Sequence, residues 1–219
     1  MKKLLLLIFT SACLVWCTPS PSEPWGIARI ADASTSDTSC VWVAALARIT
    51  NHRDDNIAST TPDGYGIFVN EHYVLTVSHV LEPLRSVLIR DVTGKEYRPK
   101  NIRLHDTADI ALIRLSEQAG FSSFPALSGI VSLEPWTAIS TIVEPTTQCS
   151  TYTGVSVWLP DSLFLQHTTL TLHPWMSGAP VFSASGDLIG INKAFLGPEK
   201  SQIVLLTPEL VDRIFSHRD

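Results

Sequence analysis

A chain of 219 residues with 45% hydrophobic and 17% charged side chains can bury one sizeable domain or two small β lobes sharing an interface, which excludes extensive disorder outside its ends. A net charge of -5 supplies no basic surface for a phosphate backbone, so nucleic-acid binding is excluded as a leading function.

The start, Met1-Lys2-Lys3 followed by an apolar run from Leu4 to Phe9, has the positive and apolar regions of an export signal. Counted generously to Val15, the run is too short for a comfortable membrane span. It predicts export from a bacterium, to the periplasm or the cell surface. Cys13 and Cys17 stand where such a segment ends, and Thr18 to Pro24 reads as a flexible spacer. This resembles a lipoprotein signal, in which a cysteine becomes the lipidated first residue. Cys17 has Leu14 three residues before it but Trp16 where a small residue belongs, whereas Cys13 follows small residues and lacks the leucine. A membrane tether through Cys17 or through Cys13 and free secretion all stay open. Residues 1–17 are the expected signal and 18–39 the spacer.

Cys40 and Cys149 form either a disulfide or two buried free thiols, since two distant cysteines define no framework. Neither has a His or acid at metal-ligand spacing, so no metal and no cofactor is expected.

From Cys40 the chain becomes a series of short apolar runs: Val41 to Ile49, Gly66 to Val69, Tyr73 to Val77, Ser86 to Ile89, Ile102 to Leu104 and Ile110 to Leu115. Turn-forming groups such as Thr61-Pro62-Asp63-Gly64 and Asp91 to Lys95 separate them. A polar connector, Ser116 to Ser128, precedes a second series: Trp136 to Val143, Thr151 to Leu159, Leu163 to Leu172, Val181 to Ser183, Leu188 to Asn192 and Gln202 to Leu206. Runs of this length and spacing predict an all-β fold in two halves. Only the end reads as helical: Thr207 caps, Pro208 takes the first position, and Leu210, Val211 and Ile214 share a face through Phe215.

The segment Trp175-Met176-Ser177-Gly178-Ala179-Pro180 places a serine on a tight bend ahead of a strand. Alone it is either a plain turn or a presented nucleophile. A serine hydroxyl needs a base in contact and an acid that orients the base. His79, of seven histidines, directly follows a clean apolar strand, where a rigid element holds a side chain in place. Asp109 precedes Ile110-Ala111-Leu112-Ile113, which predicts a partly buried carboxylate in need of a donor; Asp106, in a more polar setting, caps a turn. His52, His72, His105, His167 and His217 have no partner spaced for metal, and the six tryptophans read as packing.

Gly64-Tyr65-Gly66-Ile67-Phe68-Val69, Val74-Leu75-Thr76, His79-Val80, Ala108-Asp109-Ile110-Ala111-Leu112 and Ser177-Gly178-Ala179-Pro180-Val181, with Gly186 and Gly190-Ile191 downstream, together resemble the trypsin-like serine peptidase superfamily. The bacterial HtrA-type and glutamyl-endopeptidase branches are the most similar. The order is His, Asp, Ser, with 30 residues from His79 to Asp109 and 68 from Asp109 to Ser177. His173-Pro174 stands where HtrA-type chains carry Asn-Pro, and Thr207-Pro208-Glu209-Leu210-Val211 resembles their closing helix. The similarity covers roughly Cys40 to Phe215, without a PDZ-like segment.

The resemblance implies two packed antiparallel six-stranded β-barrels over residues 40–217: the first about 40–118, the second about 129–206, then a helix about 208–216. It implies an endopeptidase acting on polypeptides, with Ser177 as nucleophile, His79 as base and Asp109 as its orienting acid. The backbone NH groups of Trp175 and Ser177 would bind the oxyanion. Thr171, His173 and Asn192 would wall the primary pocket.

Two departures matter. The family usually has glycine at the place of Trp175, where its freedom helps aim an NH at the oxyanion; Met176 is tolerable if buried beneath the loop. Two readings follow: an active serine endopeptidase with restrained turnover, or an impaired peptidase-fold protein that binds peptides or protein partners. Secondly, Asn192 stands where glutamyl endopeptidases have a pocket histidine, so glutamate preference is not expected. Lys193 beside it either attracts acidic side chains or points outward.

Overall fold

A computed structural model of the protein describes residues 38–52, 62–82, 85–129, 133–143, 150–157, 164–170, 172–197 and 200–216. The expectations for Cys13, Cys17, Cys149, Thr171, His52 and His217 side chains lie outside the described residues, and of Cys40 only the backbone is described.

Thirteen strands among the described residues form two antiparallel units. The first contains β1 (Leu46–His52), β2 (Gly64–Asn70), β3 (Tyr73–Thr76), β4 (Ser86–Arg90), β5 (Glu96–Tyr97), β6 (Pro99–His105) and β7 (Ile110–Leu115). They lie in the order β5-β4-β1-β2-β3-β7-β6. The second contains β8 (Ala138–Val143), β9 (Ser150–Val157), β10 (Leu165–Thr168), β11 (Pro180–Ser183), β12 (Leu188–Gly197) and β13 (Lys200–Leu205), closed into a barrel in the order β10-β13-β12-β11-β8-β9. The chain is thus all-β in two halves. The second is a closed six-stranded barrel, and the first is a seven-stranded sheet whose edge strands β5 and β6 do not pair with each other among the described residues.

Local chemistry explains the differences from the sequence reading. Val41 to Ala45 belong to a 3-10 segment, Thr38–Ala45, and not to a strand. An unbroken apolar run has no period to separate the two, and here the Trp42 indole donates to the Gly186 carbonyl at 2.8 Å, pinning the segment to the second half. β5 follows a turn that Asp91 organises: its Oδ1 accepts from Thr93 N, Thr93 Oγ1 and Lys95 N at 2.6–3.0 Å. β6 extends through polar Lys100, Asn101 and Arg103 because it is an edge strand in which no residue is fully buried, and Pro99 is tolerated at its start.

The core runs through both halves, with Tyr97, Phe68 and Phe182 among its largest fully buried side chains. Phe68 meets Tyr97 edge-on at 5.4 Å and Phe121 of the connector at 4.8 Å, so the connector is packed. It also joins the second barrel, where Ser128 N donates to Leu188 O and Leu188 N to Ala126 O, each at 3.0 Å. Helix α1 (Pro208–Phe215) starts where expected, the Thr207 hydroxyl accepting from Leu210 N at 3.2 Å. Leu210 and Ile214 are buried, and Phe215 brings the last turn of the helix to β3 by packing on Tyr73 at 6.1 Å.

Candidate active site

β3 delivers the chain into a 3-10 turn, Ser78–Leu81, whose second residue is His79. Ser78 is buried and ties this turn to the start of β7: its hydroxyl donates to Ile110 O at 2.7 Å and its NH to Asp109 O at 3.2 Å. Asp109 lies on the other side of that stitch, between the fully buried Ala108 and Ile110. Its φ is 54°, in the left-handed region that aspartate tolerates better than most residues. Held so, its carboxylate meets His79 twice. Oδ1 accepts from the His79 backbone NH at 3.1 Å and Oδ2 from the ring Nδ1 at 2.9 Å. Because an ionised carboxylate only accepts, Nδ1 carries the proton and Nε2 is left as the free lone pair.

Ser177 comes from the second half, between a 3-10 turn at Pro174–Met176 and Gly178. Four backbone bonds hold the bend: Tyr65 N to Ser177 O at 2.8 Å, Gly178 N to Asn192 O at 2.8 Å, Asn192 N to Ala179 O at 2.8 Å and Ala179 N to Met176 O at 3.1 Å. The first of these joins the two halves directly at the serine. Gly178 has φ 83°, and a Cβ there would fall 1.9 Å from Tyr65 O and 2.5 Å from Thr76 Oγ1. Only glycine fits. Met176 is fully buried beneath the loop, its sulfur accepting from His173 N at 3.2 Å.

The Ser177 hydroxyl is engaged by two carbonyl oxygens, Pro174 O at 3.3 Å and Lys193 O at 3.4 Å. Among the described residues it makes no hydrogen bond to His79. A trans amide sets its C=O and N–H on opposite sides. The Pro174–Trp175 amide that turns its oxygen to Ser177 therefore turns the Trp175 NH away. This differs from the expected pair of oxyanion donors, and the cause is the 3-10 winding, fixed by Met176 N donating to His173 O at 2.9 Å. The indole itself stacks flat on the His173 ring, centroids 5.4 Å apart and 10° between planes, with Tyr65 tilted against it at 6.3 Å.

Of the expected pocket residues, His173 is exposed and held in that stack, while Asn192 is only 1% exposed. Thr141 Oγ1 donates to Pro180 O at 2.7 Å, so it accepts from Asn192 Nδ2 at 2.8 Å. That fixes the amide and leaves Asn192 Oδ1 as a buried acceptor without a donor among the described residues. Lys193 does not point outward. Its side chain is 25% exposed and its Nζ lies 3.8 Å from Asp109 Oδ2. Sequence reasoning missed this contact, as it missed the Pro174 carbonyl; a backbone carbonyl leaves no signal in side-chain identity.

A family model described as the trypsin-like peptidase domain matches residues 64–191, more than half of the chain. The chain is also similar to the "Periplasmic pH-dependent serine endoprotease DegQ" of Escherichia coli (strain K12), at 28% identity over 145 residues. That match covers 62% of this chain and 32% of the relative, so the chain spans about a third of the protein it matches. With an all-β fold in two halves and a family model matched over more than half of its length, the chain belongs to the trypsin-like peptidase domain family.

Proposed function

We propose that the protein is a serine endopeptidase that hydrolyses peptide bonds in polypeptides through Ser177, His79 and Asp109. The observation that carries this reading is the double contact between His79 and Asp109, 3.1 Å at the backbone NH and 2.9 Å at Nδ1, in the half whose Tyr65 NH bonds the Ser177 carbonyl. That pair presents Nε2 as a base and places a negative charge behind the ring. Ser177 Oγ attacks the scissile carbonyl carbon as its proton passes to Nε2; Asp109 stabilises the imidazolium without taking its proton. Collapse of the tetrahedral intermediate transfers that proton to the leaving amine and leaves an acyl-enzyme, which water hydrolyses by the same route. For the Trp175 NH to join the Ser177 NH at the oxyanion, the Pro174–Trp175 amide turns over when substrate binds. Removing one such donor costs on the order of 2.7 to 4 kcal/mol of barrier, so an amide left in its present orientation gives a slow enzyme.

That orientation also favours a second reading, a peptidase-fold protein that binds peptides or protein partners with little turnover. The two separate in one experiment. Full-length protein incubated with an unfolded polypeptide such as casein is expected to cut it, with activity lost in Ser177→Ala and raised in Trp175→Gly. Equal, absent cleavage by all three proteins, with peptide still bound, establishes the binder. Export to the periplasm or cell surface, with a lipid tether through Cys17 or Cys13, belongs to this reading and agrees with the periplasmic location in the relative's name. Metabolic labelling with a palmitate analogue tests the tether, and an unlabelled mature protein rejects it.

A further inference from the structure

We infer that Lys193 is a positioning residue that acts through Asp109, drawing on the carboxylate's charge so that less of it stabilises a protonated His79 and turnover is held down. This inference rests on the peptidase reading above.

Three observations converge on it. β12 and β13 pair Asn192 with Ile203 and Ala194 with Gln202, so two residues of β12 advance against one of β13 and Lys193 is the extra residue of a β-bulge. Bulges re-aim side chains beside active sites. The re-aimed ammonium lies 3.8 Å from Asp109 Oδ2, the same oxygen that accepts from His79 Nδ1 at 2.9 Å. Both partners are largely shielded, the lysine side chain 25% and the aspartate 16% exposed, so the contact is less screened than one in open water.

Its effect follows from what Asp109 already has. The carboxylate is placed without Lys193, by the His79 NH on Oδ1, the ring on Oδ2 and the stitch through Ser78. The lysine is therefore not needed to hold it. What an ammonium adds is positive charge, close to the oxygen that must stabilise the imidazolium formed in the transition state. A second cation there opposes that charge. Since the substrate ground state contains a neutral imidazole, the penalty falls on kcat and leaves KM in place.

Replacing Lys193 in the full-length protein by methionine keeps the stem and removes the charge. Lys193→Met is expected to raise kcat by about three- to tenfold with KM unchanged, while Lys193→Arg keeps the wild-type rate. The ring proton on Nδ1 of His79, read in the downfield proton NMR spectrum at fixed pH, should move further downfield in Lys193→Met and stay in place in Lys193→Arg. A lowered kcat with an unmoved resonance overturns the inference and makes the lysine a plain structural tie. A resonance that moves in a protein showing no turnover in any variant retains the Lys193–Asp109 coupling and counts against the peptidase reading alone.

Discussion

At the residue scale, the site depends on what each side chain can do with its protons. Asp109 is held by its own backbone twist and by His79, and its carboxylate, which only accepts, chooses the tautomer that frees Nε2. Asp109→Asn preserves the shape but offers an NH2 in place of an acceptor and selects the wrong tautomer. It is expected to lower kcat by about 10⁴-fold with the thermal midpoint nearly unchanged. A loss smaller than tenfold in steady-state assays would contradict the role assigned to Asp109. His79 and Asp109 were legible in the sequence because each stands where a strand of plain apolar character meets a turn. Lys193 was not, because its direction depends on a one-residue bulge that no residue pattern announces.

At the element scale, the serine loop is a 3-10 turn locked into a glycine and braced from the opposite half. Tyr65 N holds Ser177 O, and Gly178 packs against the Tyr65 carbonyl and the Thr76 hydroxyl. Gly178→Ala must open that contact and also adopt a positive φ. The expected result is a stability loss of at least about 2 kcal/mol, read from the denaturant midpoint, together with lost cleavage. An unchanged midpoint would show that the loop is looser than its contacts imply. The turn itself was legible from Ser-Gly and Pro; the direction of its Pro174 carbonyl was not, since it goes with the 3-10 bond from Met176 N to His173 O and with the Ser177 hydroxyl that donates to it. Likewise the start of the C-terminal helix could be read from Thr207 and Pro208, whereas the apolar run before Leu46 carried no period to mark it as a 3-10 segment.

At the scale of the whole molecule, two β halves share a core, and the candidate site stands where Tyr65 N meets Ser177 O and Lys193 Nζ meets Asp109 Oδ2 across them. The two-half plan was legible from the spacing of apolar runs and their turns. The seventh strand of the first half was not, because β5 is two residues long and follows a turn built by Asp91. That turn also links global stability to pH. Tyr97 is 1% exposed and donates to Asp91 Oδ2 at 3.1 Å. Burial, reinforced by the Asp91 carboxylate, pushes its hydroxyl up from 10.0 to about 12. A group with a raised folded value contributes stability that is complete below the unfolded value and is lost as pH climbs through the folded one. The contribution, on the order of 2 to 3 kcal/mol, should therefore vanish between about pH 10 and 12 in the wild type and be missing from Tyr97→Phe across that window. Parallel denaturation curves of the two proteins through the same pH range would remove Tyr97 from this role. The peptidase reading is tested most directly by treating full-length protein with a fluorophosphonate and mapping the adduct by mass spectrometry. A single adduct on Ser177, abolished in His79→Ala, is the expected result; an unmodified Ser177 under conditions that label a control serine peptidase would contradict it.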